Sequence, residues 1–156
     1  MARESEEVKT MKILLTFTGL LTTAFLLIAA EGSKSGVQYI GHDQVAEKLA
    51  KGGPIASDPA FTVSASHRDK AGNVEVHDKE TDIFYVTDGE ATFVTGGKMI
   101  GGKKSKPDQW LGTDIEGGQT HNLSKGDVMI IPAGTPHWFQ KVPKSVSYYV
   151  VKSLKQ

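Results

Sequence analysis

Past residue 60 the chain alternates apolar and polar side chains in short runs, most of them closed by glycine, proline or an Asp/Asn-containing turn. A period of two is the pattern of strands with one buried face. Phe61, Val63, Ala65 and His67 share one face of the first run. Glu75 and His77 share a face in the next, with Val74 and Val76 turned the other way into packing. Residues 83–87 and 91–95 form two further β-runs. Between them stands Asp88-Gly89, a dipeptide that favours a two-residue hairpin. Residues 119–123 predict a strand with Gln119, His121 and Leu123 on one face. Residues 127–131, 137–140 and 146–151 predict the last strands, with Tyr148 and Tyr149 on opposite faces.

The remaining segments are less regular. Residues 37–40 predict a short strand. Residues 43–50 predict a helix, with Asp43 in its first turn, Val45 and Leu49 one turn apart, and Gly52-Gly53 as its stop. Residues 52–59 are expected to be a loop. Residues 101–118 read as an inserted loop, with Lys103, Lys104 and Lys106 as solvated surface and Trp110 as a packing plug. Short strands punctuated in this way point to an all-β barrel or double-sheet sandwich.

The N-terminus is different in kind. Residues 13–30 carry no charge and are rich in Leu, Ile, Phe and Thr, which reads as a signal peptide or a membrane anchor. Glu4, Glu6 and Glu7 do not suit a leader, whereas a start at Met11-Lys12 does, with Ala29-Ala30 at the cut site. The expected organisation is a leader or anchor over 1–30, then linker, short strand and helix over 31–60, then a barrel domain over 61–156. The folded part is expected to be exported, periplasmic or secreted, or else held on the inner membrane by residues 13–30. Lys plus Arg and Asp plus Glu are both 18, with no long block of either sign. That balance argues against nucleic acid or an anionic membrane surface as the main partner. Cysteine is absent, and a domain of this size does not need disulfides to fold.

Two stretches carry candidate chemistry. The first places Glu75, His77, Asp82 and Gly89 in order; the second places Gly126, Pro132, Gly134 and His137 in order. In these positions the chain resembles the cupin superfamily. Its first motif is His-x-His, three or four residues, Glu, six residues, Gly. Its second is Gly, five residues, Pro-x-Gly, two residues, His, three residues, Asn. Glu75 stands for the first His, Asp82 for the Glu, and Lys141 for the Asn. The resemblance implies a cupin double-stranded β-helix, a jelly-roll barrel, with a short helix ahead of it. It also implies that Glu75, His77, Asp82 and His137 converge on one metal inside the barrel.

Such a set offers two imidazoles and up to two carboxylates. Two His with one carboxylate and open positions suits Fe(II), added carboxylate suits Mn(II), and Zn(II) accepts the same donors. The expected cofactor is therefore one divalent transition metal: Fe, Mn or Zn. A metal-dependent oxidoreductase, isomerase or lyase acting on a small molecule is one implied role, with Glu75 or His121 moving protons. The alternative is a non-catalytic, metal-free barrel that binds a small molecule, with Glu75 and Asp82 as plain polar residues. Some cupins work without metal through a His/Tyr/Lys set, which the sequence does not place. His67 points either inward or into solvent, and His42 reads as a surface or capping residue. By analogy with small cupins a homodimer is expected, paired through the edge at residues 37–40.

Overall fold

The computed structural model describes residues 36–154. The apolar run over 13–30, the start at Met11 and the choice between leader and anchor lie outside the described residues. Among the described residues, no helix is long and apolar enough to cross a membrane.

The helix, α1 (His42–Lys51), ends at the glycine pair. Gly52 adopts φ 77° and donates its N–H to the Lys48 carbonyl at 2.7 Å, a left-handed cap that a residue with a Cβ adopts only at a cost. The strands that follow are β1 (Gly53–Asp58), β2 (Phe61–Arg68), β3 (Val74–His77), β4 (Glu80–Thr95), β5 (Lys98–Ile100) and β6 (Lys103–Lys106). Then come β7 (Gln109–Gly112), β8 (Asp114–Glu116), β9 (Gln119–Ser124), β10 (Val128–Ile131), β11 (His137–Lys141) and β12 (Val146–Leu154). The main sheet runs β1-β2-β12-β4-β11-β3-β7-β6, with β9 and β10 also paired to β4, and β5 pairs β8 as a separate ribbon. All these pairings are antiparallel. The chain is thus the jelly-roll barrel with a short leading helix that the motifs implied.

β4 is the strand that closes the barrel. Its first half pairs β10 and β12, and its second half pairs β9 and β11. Val86 faces Tyr148 and Asp88 faces Ser147, so Thr87 is an extra residue on the β4 side. A one-residue bulge inverts the faces of the strand beyond it. Before the bulge the buried side chains are Asp82, Phe84 and Val86; after it, Ala91 and Phe93 are among those buried. Gly89 sits at φ 77°, and a Cβ there would run into the Ser145 carbonyl oxygen. The hairpin expected at Asp88-Gly89 is therefore not formed. The same left-handed glycine bends one continuous strand from the first half of the barrel into the second.

Three other expectations are corrected. Residues 37–40 join no strand: Val37 and Tyr39 are exposed, and Gln38 Nε2 donates to the Ser57 carbonyl at 3.2 Å. Residues 53–58 are a strand, not a loop, paired with β2 at one end of the sheet order. Pro54 hid it, but an edge strand with a register shift at Pro54/Ala56 tolerates proline. Residues 101–118 hold β6, β7 and β8. Their lysines lie on β6, whose side chains are all exposed, so no apolar alternation marks the strand.

The buried core gathers Phe84, Phe93, Phe139, Tyr148 and the aliphatic residues around them. The Phe139 ring stacks on Phe84 at 5.9 Å and on Tyr148 at 5.0 Å, and meets Phe93 edge-on at 4.6 Å. Burying each such side chain contributes roughly 1.5–3 kcal/mol. Phe84, Phe139 and Tyr148 also line the polar cavity described next, so the aromatic core is the wall against which the site is built.

Candidate metal centre

A cavity of about 190 Å³ opens inside the barrel, lined by residues of β2, β3, β4, β11 and β12. Its members include Glu75, His77, Asp82 and His137, so the four residues singled out in the sequence are brought to one place. β11 lies between β3 and β4, with His137 opposite Glu75 on one side and Thr95 on the other. Glu75 and Asp82 are therefore not on neighbouring strands, as the chain order suggested: Glu75 pairs β11 and β7, whereas Asp82 lies in the half of β4 that pairs β10 and β12, and β11 brings in the second histidine beside Glu75.

The Pro132–Pro136 turn does two things at once. Gly134, at φ 80°, donates its N–H to the His77 carbonyl at 2.7 Å and so pins the turn onto β3. The Thr135 carbonyl lies 3.0 Å from His137 Nδ1. A carbonyl only accepts, so Nδ1 carries the proton and Nε2 keeps a lone pair. His77 is held between a carboxylate and an ammonium: its Nδ1 lies 3.0 Å from Asp82 Oδ2 and 3.1 Å from Lys152 Nζ. Its Nε2 faces Glu75 Oε2 at 3.5 Å and the Gln109 amide at 3.3 Å. His137 thus presents Nε2, oriented through Nδ1, the arrangement in which histidines ligate metals, while the Lys152 ammonium reaches both ring nitrogens of His77, at 3.1 and 3.3 Å.

Donor atoms of Glu75, His77 and His137 all lie within 4.8 Å of one another, and so do those of His77, Glu80 and Asp82. The donors fit a divalent metal by chemistry: two imidazoles with one carboxylate in the first group, and a histidine with two carboxylates in the second. Burial is deep, with His77, Asp82 and His137 at 6%, 1% and 4% exposure. Burial is the main force on His137, and it pushes the imidazole below its ordinary pKa, favouring the neutral ligand form. For Asp82 burial acts upward, but it is outweighed by the hydrogen bond from His77 and by the charge and hydrogen bond of Lys152. The carboxyl is held below its ordinary value.

Lys152 and Arg68 were not legible as site residues in the sequence. Lys152 Nζ lies 2.8 Å from Glu80 Oε2, 2.9 Å from Asp82 Oδ1 and 3.1 Å from His77 Nδ1. Its ammonium thus occupies the second donor group. The signal was the parity of β12: Val146, Tyr148 and Val150 are its buried face, and Lys152 is the next even position. The strand expected from the sequence ends at residue 151, one short. On β2, Ser64, Ser66 and Arg68 face the cavity. His67 is exposed and its Nδ1 lies 2.8 Å from Ser147 Oγ. His121 does not line the cavity; its Nε2 lies 2.9 Å from Thr95 Oγ1. Trp110 is no packing plug: it is partly exposed, its Nε1–H donates to Asp78 Oδ2 at 3.0 Å, and Lys104 lies over its ring.

The comparisons bear on this fold and this site. A family model described as Cupin matches residues 64–155. No curated protein matches the chain in sequence. Among solved structures the fold is similar to that of BH2720 from Bacillus halodurans, with a TM-score of 0.55 and 12% identity over 80% of this chain and 87% of that one. It is also similar to TT1209 from Thermus thermophilus, with a TM-score of 0.50 and 16% identity over 77% of this chain and 100% of that one. At these identities the likeness is one of fold.

Proposed function

Since the chain belongs to the cupin family, we propose that it is a small-molecule metalloenzyme holding one divalent Fe, Mn or Zn ion on Glu75, His77 and His137. The observation that carries this reading is the gathering of Glu75, His77 and His137, whose donor atoms lie within 4.8 Å of one another, with His137 tied through Nδ1 so that its Nε2 faces the group. Bound there, the metal would supply Lewis acidity or, as Fe(II), open positions for O2 and substrate together.

The chain's own residues divide the remaining work. Asp82, which the resemblance placed among the ligands, here holds the His77 ring through Nδ1. Lys152 neutralises Asp82 and Glu80, and takes the proton-carrying role that the sequence reading assigned to Glu75 or His121. Phe84, Phe139 and Tyr148 exclude water from one wall of the cavity. The reactions that suit such a set are oxygen-dependent oxidation, isomerisation and elimination on a small organic substrate. We also propose export, on the strength of the uncharged run over 13–30; intact mass of the mature protein lacking these residues supports a cleaved leader, and their presence contradicts it.

Cobalt substitution tests the metal site. Co(II) added to chelator-treated protein should give a visible d–d spectrum, lost in His137→Ala and in Glu75→Ala. An unchanged spectrum in both variants would remove the ligand set. A second reading has its own observation: Lys152 already satisfies Asp82, Glu80 and His77. On that reading the cavity is complete without metal and binds a small molecule through its polar wall.

A further inference from the structure

Part of the cavity wall is polar and comes from β2 and the turn that follows it. Ser64, Ser66, Arg68 and Asn73 all line it. Ser64, Ser66 and Asn73 make no side-chain hydrogen bond among the described residues, although buried side-chain polar atoms elsewhere are satisfied. These groups keep their donors and acceptors for whatever fills the cavity.

Arg68 is held there as a fork. Its Nε donates to Tyr148 OH at 3.0 Å, and its guanidinium carbon lies 4.8 Å from the centre of the Phe139 ring. Gly72 leaves the space it needs: a Cβ at Gly72 would come within 2.7 Å of Arg68 Nη1. Nη2 stands 3.7 Å from Glu75 Oε1, beyond hydrogen-bond reach. A guanidinium has five donors, and among the described residues one is used in a hydrogen bond, while Nη2 stands in an ion pair with Glu75. Stacked, anchored through Nε and with no hydrogen bond at its Nη atoms among the described residues, such a group is preorganised to receive a carboxylate, Glu75 being the anion it already faces.

Charge points the same way. Arg68 and Lys152 set two positive charges against Glu75, Asp82 and Glu80 around the site. A divalent cation would turn that balance positive. We propose that Arg68, with Ser64, Ser66 and Asn73 around it, binds the carboxylate of a small organic anion, which makes the substrate of the proposed metalloenzyme a short-chain carboxylic acid. The cavity volume of about 190 Å³ suits a molecule of that size and lies below the usual range for drug-sized ligands. This deepens the proposed function and rests on the cavity being its substrate site.

The test is calorimetric titration of malonate, its neutral diamide malonamide, and inorganic phosphate into the full chain, both chelator-treated and Mn(II)-loaded. Malonate should bind more tightly than malonamide by roughly tenfold or more, the scale of charge-assisted hydrogen bonds. That preference should vanish in Arg68→Gln and fall in Arg68→Lys, which keeps the charge but loses the fork. Gly72→Ala, whose added Cβ displaces the guanidinium without removing it, should weaken malonate several-fold while the melting temperature stays near wild type. Metal content is measured separately in each sample. Malonate binding that depends on Arg68 but occurs in protein that takes up no metal supports this site and removes the metal reading. Metal uptake with no malonate binding, or with binding indifferent to Arg68, overturns this site and leaves the metal reading standing. An Arg68-dependent preference for phosphate over malonate would overturn the carboxylate assignment.

Discussion

Lys152 and Asp82 sit directly opposite each other on paired strands, and their side chains meet inside the barrel, Nζ 2.9 Å from Oδ1. Opposite charges face to face across a strand pair favour each other. Here the pair also reaches the histidines, since Asp82 Oδ2 lies 3.0 Å from His77 Nδ1 and 3.5 Å from His137 Nε2. The ammonium and a cation held on Glu75, His77 and His137 are therefore rivals by charge, both lying against His77.

Lys152→Met tests that rivalry. Removing the ammonium leaves Asp82 buried without its cationic partner, so the metal-free protein should lose stability. The same change removes a positive charge that lies 3.3 Å from His77 Nε2, so divalent metal should bind tighter, by roughly tenfold, about 1.4 kcal/mol. Thermal melts in chelator and calorimetric titration with Mn(II) read the two effects. Weaker metal binding in Lys152→Met would mean that Lys152 supports the metal site and does not compete with it.

Acidification should destabilise the metal-free protein in two stages. His137 is held below its ordinary value of 6.5, first by burial. Its contribution is complete above 6.5 and is lost as pH falls from there toward the folded-state value, because the unfolded chain binds the proton first. Asp82 is held below 3.8, so its contribution begins to be lost only as pH drops past that value. Melting temperature in chelator should therefore fall between about pH 7.5 and pH 5.5, and His137→Gln should flatten the slope. A melting temperature that rises on acidification in this range would contradict the buried neutral imidazole.

Gly89 and Gly134 separate two costs. Both adopt positive φ, but a Cβ at Gly89 collides with the Ser145 backbone, whereas one at Gly134 has nothing within 4 Å. Gly134→Ala should cost about 1 kcal/mol, the conformational cost alone. Gly89→Ala should cost roughly 3 kcal/mol or more, because the strand bend itself must give. Urea unfolding of the two variants measures the difference; equal losses would mean that the bulge tolerates a side chain.

Much of the fold and four of the thirteen residues lining the cavity were written in local patterns. Period-two alternation marked β2, β9, β11 and β12, and the motif spacing marked Glu75, His77, Asp82 and His137, all of which meet in the cavity. What escaped depended on pairing. Asp88-Gly89 looks the same in a hairpin and in a bulge, and only the β12 register tells them apart. β1 was masked by Pro54 at a sheet edge, and β6 by having no buried face. Arg68 and Lys152 are charged residues at inward positions of strands. Read locally, such residues look like strand ends in solvent, and only the barrel's closure turns them toward the histidines.

The most direct test of the account is elemental analysis of the full chain, purified untagged and without exposure to chelator. We predict about one equivalent of Fe, Mn or Zn per chain, a donor set of two histidines and a carboxylate being suited to each, with the occupancy falling in Glu75→Ala and His137→Ala. Zn requires a loading control against Fe and Mn, because it outcompetes them for such donors. Protein that carries no metal as purified and takes up none on anaerobic loading with each ion would contradict the metal centre and leave the Lys152-filled cavity as a metal-free binding site.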